Sequence, residues 1–176
     1  MDKLNRPEKE YSAKSTEDVL MVDDLVTVTP LTVRTDDRGN LFEIIRKDAL
    51  TDGLEPKQVY YVENHQANTI RGFHAHNIMT DWFMVPKGAA LFVFFKTIKT
   101  GAVKTTLYQR VTVTDKAPCV ITVPPNVFHG WRSLADDTCL ISIASECYNR
   151  EAPDEIRVPW NALENLVPSI WEVQFK

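Results

Sequence analysis

Short segments with period-two hydrophobicity are the feature that most constrains the fold of this chain. In Val103–Thr114, Val103, Leu107 and Val111 alternate with Lys104 and Tyr108. Because successive side chains of a strand point to opposite faces, this pattern predicts a strand with one buried face. Further strands are predicted over residues 57–63, 91–95, 120–123 and 139–145. Many short strands separated by turn residues predict an all-β sandwich or barrel.

The length of 176 residues fits one domain. That domain is predicted over residues 24–176, after a partly flexible extension over residues 1–23. A short helix capped by Ser15 or Thr16 is expected to end at Met21. A turn over residues 35–40 is expected to lead into a strand over residues 41–47. Apolar residues at helical spacing predict a helix over residues 160–166. The predicted helices are therefore short and peripheral.

Composition excludes several classes of partner. The net charge is −4 and the basic residues form no cluster, so nucleic acid is not expected as a partner. No apolar run approaches the ~20 residues of a membrane span. The first 15 residues lack the apolar stretch of a signal peptide. The odd number of cysteines (Cys119, Cys139 and Cys147), without a CxxC pair, predicts reduced thiols in a cytoplasmic protein.

Three histidines predict a chemical site inside the barrel. His74 and His76 lie two residues apart, which places both side chains on one face of a strand. His129 follows Pro124-Pro125 in a separate segment. Leaving a buried polar group without a partner costs about 1–3 kcal/mol, so three buried imidazoles indicate a use.

The orientation of Arg71 stays open at this stage. Its odd offset from His74 places it on the opposite face of a regular strand. A β-bulge at Gly72 would turn it inward, where its charge would need an anionic partner.

Four motifs resemble one enzyme family. They are DDRGNLFEI at residues 36–44, RGFHAH at 71–76, VPPNVFHGWRSLADD at 123–137 and ECYNREAPDE at 146–155. They are similar to the dTDP-4-dehydrorhamnose 3,5-epimerases and to the related dTDP-sugar 3,4-ketoisomerases. Both groups are single-domain cupins, which are β-barrels of jelly-roll type. The resemblance implies a homodimer that isomerises or epimerises a nucleotide-linked sugar in deoxysugar and polysaccharide biosynthesis, without a cofactor.

The resemblance also implies roles for individual residues. His74 matches a general base that removes a proton beside the C4 ketone of a nucleotide-linked 6-deoxyhexose, and imidazole suits this task near neutral pH. His76 and His129 are expected to shape the catalytic site. Tyr61 is the expected proton donor, and a ketoisomerase could use either Tyr60 or Tyr61.

Three further residues are expected to bind substrate. Arg71 would contact an anionic group or the enolate oxygen. Arg38, in the D-R-G turn, is the candidate for contacting the diphosphate. Glu43 is the candidate for contacting the nucleobase or the sugar.

The chain departs from the epimerases at three positions. Asp81 stands where those enzymes have a lysine, Ser142 where they have a tyrosine acid, and Ala162 where they have an aspartate that partners the histidine. Because each acid–base group contributes about 10²–10⁴ in rate, double epimerisation is not the expected reaction.

Two alternative functions use the same barrel. In the first, a divalent metal ion is bound by a histidine–carboxylate set typical of metal cupins, comprising His74, His76, Asp81 and His129. In the second, the barrel binds a sugar nucleotide without catalysis.

Overall fold

The computed structural model describes residues 17–51 and 53–173. Within these residues the backbone forms thirteen β-strands and one 3-10 helix, Lys47–Ala49. The strands are β1 (Glu17–Met21), β2 (Thr27–Pro30), β3 (Arg34–Asp36), β4 (Gly39–Leu41), β5 (Gln58–Asn64), β6 (Ile70–Ala75), β7 (Asp81–Lys87), β8 (Ala89–Thr100), β9 (Val103–Thr114), β10 (Cys119–Val123), β11 (Phe128–Ser133), β12 (Thr138–Ala144) and β13 (Ile156–Arg157). The predicted all-β, single-domain architecture is confirmed.

Two sheets form the body of the domain. The six-stranded sheet has the order β1-β9-β8-β11-β6-β13, and the five-stranded sheet has the order β2-β10-β7-β12-β5. Neighbouring strands are antiparallel except for the parallel pair β1–β9. Strands β3 and β4 form a separate hairpin.

The central strands are apolar on both faces because both faces are covered. In β8, Phe92 and Phe94 point into the core between the sheets. Val93 and Phe95 point outward, where residues of the C-terminal segment such as Leu163 pack on them. This confirms the expectation that residues 91–95 are buried on both sides.

The segment at the start of the described chain is a strand and not the expected helix. Glu17–Met21 pairs along β9, from Glu17 opposite Lys104 to Met21 opposite Tyr108. The Glu17 carboxylate lies 2.6 Å from Lys104 Nζ. Pairing with a long, well-formed strand therefore overrides the local capping signal. Ser15 and Thr16 lie outside the described residues.

Two other local predictions are wrong. Strand β4 ends at Leu41, and the residues that follow, including Phe42 and Ile44, pack on the outer face of the five-stranded sheet without joining it. Residues 160–166 form successive turns, with hydrogen bonds such as Ala162 N–H to Pro159 O at 2.9 Å, instead of an α-helix. In both segments apolar side chains cover a sheet, so their spacing reflects packing and not helix or strand periodicity.

Between two of its pairs with β11, strand β6 has one residue more than β11 has. His74 pairs with His129, but Arg71 pairs with Trp131, so the register shifts between these two pairs. Trp131 belongs to the core between the sheets. The bulge therefore turns Arg71 to the same side of the sheet as His74.

The bulge depends on two touching glycines, and this generates a stability prediction. A Cβ atom on Gly130 would lie 2.8 Å from Arg71 O and 2.9 Å from Gly72 Cα. Since backbone atoms cannot move aside as a flexible side chain can, we expect Gly130→Ala to lower the free energy of unfolding by about 1–3 kcal/mol, as overpacked sites do. Urea denaturation measures this change, and an unaltered midpoint and slope would contradict the close approach.

Candidate active site

A cavity of about 710 Å³ opens between the two sheets. This volume lies within the ~300–1,000 Å³ range of small-molecule sites. Its apolar wall includes Phe83, Phe92, Trp131 and Leu140. Its chemically active side chains are Gln58, Tyr60, Arg71, His74, His76, His129, Tyr148, Glu155 and Arg157.

The three histidines meet at one side of this cavity, as their positions in the sequence predicted. His74 lies in β6, His76 directly follows that strand, and His129 lies in β11. The Nε2 atoms of His74 and His129 are 2.9 Å apart. Ligating nitrogens of all three rings lie within 4.8 Å of one another.

Backbone carbonyls determine which ring nitrogens hold the protons. The Nδ1 atom of His129 lies 3.0 Å from the carbonyl oxygen of Val127. His76 Nδ1 makes the same kind of contact with the carbonyl oxygen of Asp154. Because a carbonyl oxygen only accepts, both Nδ1 atoms donate, and in the neutral rings Nε2 is the lone-pair nitrogen. His74 Nε2 then donates to His129 Nε2, which leaves Nδ1 of His74 able to accept a proton.

A buried carboxylate faces two of these rings. Asp81 Oδ2 lies 3.5 Å from His76 Nε2 and 3.6 Å from His129 Nε2, and the Asp81 side chain is 2% exposed. Its Oδ1 atom is buried without a hydrogen-bond partner among the described residues. Asp81 is on the inner face of β7, two residues before the core residue Phe83.

Burial controls the charge state of the cluster. Burial, helped by the charge of the neighbouring His76, lowers the pKa of His74 to about 4. Burial also holds the pKa of His129 well below its usual range. Burial raises the pKa of Asp81 to about 6, against the opposing effect of His76. At neutral pH the rings of His74 and His129 are therefore uncharged, and His74 has the lone pair that a base requires.

The structure brings Tyr60 to the cavity but not Tyr61. Adjacent residues of β5 point to opposite faces, so Tyr60 lines the cavity while Tyr61 is on the outer side. The Tyr61 hydroxyl lies 2.6 Å from Cys139 Sγ, and this hydrogen bond raises the pKa of Tyr61 to about 12. Tyr60 sits directly opposite Ser142 across the β5–β12 pair, and burial raises its pKa. The proton donor expected at Tyr61 therefore does not lie on the cavity, whereas Tyr60 and Tyr148 both line it.

Two arginines, Arg71 and Arg157, line the cavity together with the Glu155 carboxylate. Arg71 Nε donates to Asn64 Oδ1 at 2.7 Å. Arg157 Nη2 donates to the Glu155 carboxylate at 2.9 Å, next to His74 in the β6–β13 pair. The guanidinium fork is suited to oxygen anions such as phosphates.

Arg38 and Glu43 lie away from this cavity. Arg38 is at the tip of the β3–β4 hairpin, where its side chain is 87% exposed and pairs with Asp36. Glu43 lines a separate depression together with Trp82 and Val120, on the outer side of the five-stranded sheet. The described chain therefore does not bring these two predicted substrate-binding residues to the histidines.

Sequence reasoning missed Asp154. Its carboxylate accepts hydrogen bonds from the backbone N–H groups of Asn77, Ile78 and Met79 at 2.9, 3.0 and 3.1 Å. Its carbonyl oxygen holds the ring of His76. Burial opposes ionisation of Asp154, but these hydrogen bonds outweigh it and lower its pKa. The residue lies in the ECYNREAPDE motif, yet nothing local reveals that its partners are 75 to 78 positions away.

Comparison with known proteins identifies the family. The model of the dTDP-4-dehydrorhamnose 3,5-epimerase family matches residues 20–167. The chain belongs to this family. Its members are sugar-nucleotide epimerases and ketoisomerases of the isomerase class, so the expected enzyme class is confirmed.

Two relatives are similar over most of this chain. A "probable low-salt glycan biosynthesis epimerase" of Haloferax volcanii is 28% identical over 138 residues, which cover 77% of this chain and 87% of that protein. A spore coat polysaccharide biosynthesis protein of Bacillus subtilis is 28% identical over 156 residues, which cover 87% of this chain and 99% of that protein. These names agree with the predicted role in deoxysugar and polysaccharide biosynthesis.

Solved structures share the fold. The dTDP-4-dehydrorhamnose 3,5-epimerase of Bacillus anthracis, with TDP and PPi bound, has a TM-score of 0.69 at 22% identity, covering 81% of this chain and 83% of its own. A variant 3,4-ketoisomerase of Thermoanaerobacterium thermosaccharolyticum, in complex with TDP-4-keto-6-deoxyglucose, has a TM-score of 0.62 at 19% identity, covering 78% of this chain and 90% of its own. The predicted cupin fold is confirmed. Among the described residues, no helix has the length and apolar character to cross a membrane.

Proposed function

We propose that this protein removes the C3 proton of a dTDP-linked 4-keto-6-deoxyhexose and returns a proton to give either the C3 epimer or the 3-keto isomer. The observation that supports this most is the neutral His74 on the wall of a cavity that also contains Tyr60 and Arg71. The ketone acidifies the C3–H bond, so a base with a free lone pair is the first requirement of the reaction.

His74 is the proposed base and Tyr60 the proposed donor. When His74 takes the C3 proton, the bonding electrons move into a C3–C4 double bond and negative charge develops on the C4 oxygen. A phenol in the cavity wall stabilises that charge by donating a hydrogen bond. His76 and His129 hold the base in position, and the His129 ring accepts a hydrogen bond from His74. Delivery of a proton to C3 from the opposite face gives the epimer. Protonation of the C4 oxygen to an enediol, followed by loss of the O3 proton and protonation at C4, gives the 3-keto isomer.

Arg71 and Arg157 are proposed to bind the diphosphate. Arg71 and Arg157 lie on the cavity beside the histidines, and oxygen anions bind well to guanidinium groups. The protein is proposed to act in the cytoplasm, which agrees with the three free cysteines, because disulfides are rare there.

The first experiment measures proton exchange directly. We expect His74→Asn to reduce deuterium incorporation at C3 of dTDP-4-keto-6-deoxyglucose in D₂O by about 10²–10⁴, since a positioned base contributes that much. Proton NMR of the sugar follows the loss of the C3 signal. The exposed His65 provides the matched control, and His65→Asn should exchange at the wild-type rate. Exchange that survives in the His74 variant, or is absent from the wild type, would overturn the proposal.

A pair of neighbouring tyrosines tests the donor. We expect Tyr60→Phe to lower kcat by about 10²-fold with little change in KM, because the phenol acts on charge that develops during the reaction. Tyr61→Phe also removes a phenolic hydroxyl, one residue further along β5 but on the outer face. The kcat of the Tyr61 variant should therefore stay at the wild-type value. Steady-state kinetics of both variants decide the assignment, which fails if the two variants behave alike.

We further propose a homodimer in which the β3–β4 hairpin of one copy covers the cavity of the other. Within one chain, this hairpin and Arg38 lie on the far side of the five-stranded sheet. The resemblance implies that Arg38 contacts the bound nucleotide. Arg38 of the same chain lies away from the cavity, but Arg38 of a second copy can reach it. Exposed Leu41 and Val33, 61% and 40% accessible, would be covered by such an arrangement.

Complementation tests this dimer. Arg38→Ala and His74→Asn should each be nearly inactive alone. When they are co-expressed, the mixed dimer contains one site with both residues intact, so activity should rise to about one quarter of wild type for random pairing of a two-fold dimer. Light scattering gives the mass of the assembly. A monomer, or a mixture no more active than its components, would contradict the shared site.

A further inference from the structure

We infer that Glu155 is a second base of the active site, which takes the O3 proton of the substrate and directs the reaction to the 3-keto isomer. This assignment rests on the proposed function, because it concerns the step that follows removal of the C3 proton. Removal of the C3 proton alone does not decide the product. The enediol becomes the 3-keto isomer only when a group in the cavity accepts the proton of the 3-hydroxyl.

The lining of the cavity offers one carboxylate for this task. Among the described residues that line the cavity, Glu155 has the only carboxyl group. Arg71 and Arg157 also line it, but their guanidinium groups have no lone pair to accept a proton. A carboxylate within reach of a hydroxyl is a common general base.

The imidazoles of the cavity already have other partners. His74 is the proposed base at C3, and its Nε2 atom lies 2.9 Å from His129 Nε2, which accepts its hydrogen bond. His76 Nε2 lies 3.5 Å from the carboxyl group of the buried Asp81. Removal of the O3 proton therefore calls for a separate base, and Glu155 supplies it.

The backbone around Glu155 is fixed beside the histidines. The carboxylate of the preceding Asp154 accepts hydrogen bonds from the backbone N–H groups of residues 77–79 at 2.9, 3.0 and 3.1 Å. Two positions after Glu155, Arg157 pairs with His74 in the β6–β13 ladder. The Glu155 side chain is 15% exposed, and Arg157 Nη2 lies 2.9 Å from both of its carboxylate oxygens. The carboxylate thus has the defined position that proton transfer requires.

Glu155 is close to both groups that act in the first step. Burial lowers the pKa of His74, and the negative charge of Glu155 opposes this effect. Burial raises the pKa of Tyr60, and the charge of Glu155 acts in the same direction. The carboxylate therefore lies near the base at C3 and near the donor at the C4 oxygen. Because O3 is bonded to C3, the 3-hydroxyl lies in the same part of the cavity.

The protons and electrons of the isomerisation balance with these three groups. His74 takes the C3 proton, and Tyr60 gives a proton to the C4 oxygen to form the 3,4-enediol. Glu155 then removes the O3 proton, and the O3–H electrons form the C3–O double bond. The electrons of the C3–C4 double bond take the proton of the His74 imidazolium at C4, so C3 is oxidised and C4 is reduced. The proton on Glu155 returns to the Tyr60 phenolate, which restores the site.

A comparison of exchange and isomerisation rates tests this assignment on the full chain. Wild type and Glu155→Gln are incubated with dTDP-4-keto-6-deoxyglucose in D₂O, and proton NMR follows C3 exchange and formation of the 3-keto sugar. We expect Glu155→Gln to lower the rate of 3-keto formation by about 10²–10⁴, the contribution of a positioned base. Exchange at C3 should stay near the wild-type rate, because loss of the Glu155 charge leaves His74 neutral.

Two further variants provide matched controls. Glu151→Gln removes an exposed carboxylate from the same segment and should form the 3-keto sugar at the wild-type rate. Glu155→Asp keeps a carboxylate at the site and should isomerise faster than Glu155→Gln. Thermal unfolding shows whether each variant is folded.

The outcomes separate this inference from the proposed function. Equal losses of exchange and isomerisation in Glu155→Gln would show that Glu155 only maintains the shape of the site, and would overturn its role as a base. Wild-type isomerisation in that variant, or a wild-type enzyme that forms only the C3 epimer, would also overturn it, although the proposed function would stand. If wild-type protein catalyses no exchange at C3, the proposed function fails and the role of Glu155 fails with it.

Discussion

The register shift between β6 and β11 is the constraint on which the site depends. One extra residue in β6 lets Arg71 and His74, three positions apart, face the same cavity. The shift is possible because Gly72 and Gly130 allow the two backbones to touch. Without it, strand alternation would direct Arg71 into the outer layer with Phe73, where a charged group has no anionic partner. The presence of Arg71 in the cavity beside His74 thus depends on the close approach of two glycines.

The polar cluster is tolerated because the surrounding sandwich is apolar on both sides. Strands β7 and β8 have core residues on each face, so the stability of the domain does not depend on the cavity being filled with aliphatic groups. Burial by these same strands makes His74 and His129 neutral and raises the pKa of Asp81. The apolar layer therefore stabilises the domain and also keeps His74 neutral, because a low dielectric disfavours the charged forms of the buried imidazoles and of the Asp81 carboxyl.

Sequence patterns predicted the parts of the structure that depend on local periodicity. The alternation in Val103–Thr114 and the two-residue spacing of His74 and His76 translate directly into a strand and a shared face. Patterns failed where tertiary contacts decide the outcome. Glu17–Met21 is a strand only because β9 offers an edge, and the spacing over residues 160–166 reflects packing on a sheet and not helix formation. Asp154 could not be found because its partners are remote in sequence.

The three positions at which this chain departs from the epimerases change the charge and the hydrogen-bond donors of the site. The resemblance implies that Asp81, Ser142 and Ala162 stand where the epimerases have a lysine, a tyrosine and an aspartate. In this chain the Asp81 carboxylate is buried, with 2% of its side chain exposed. A phenol reappears across the strand pair at Tyr60, opposite Ser142. The resemblance implies the loss of a cationic donor near the developing oxyanion, and Tyr60 and Arg71 are the donors in the cavity that can stabilise this charge when a proton is removed beside a ketone.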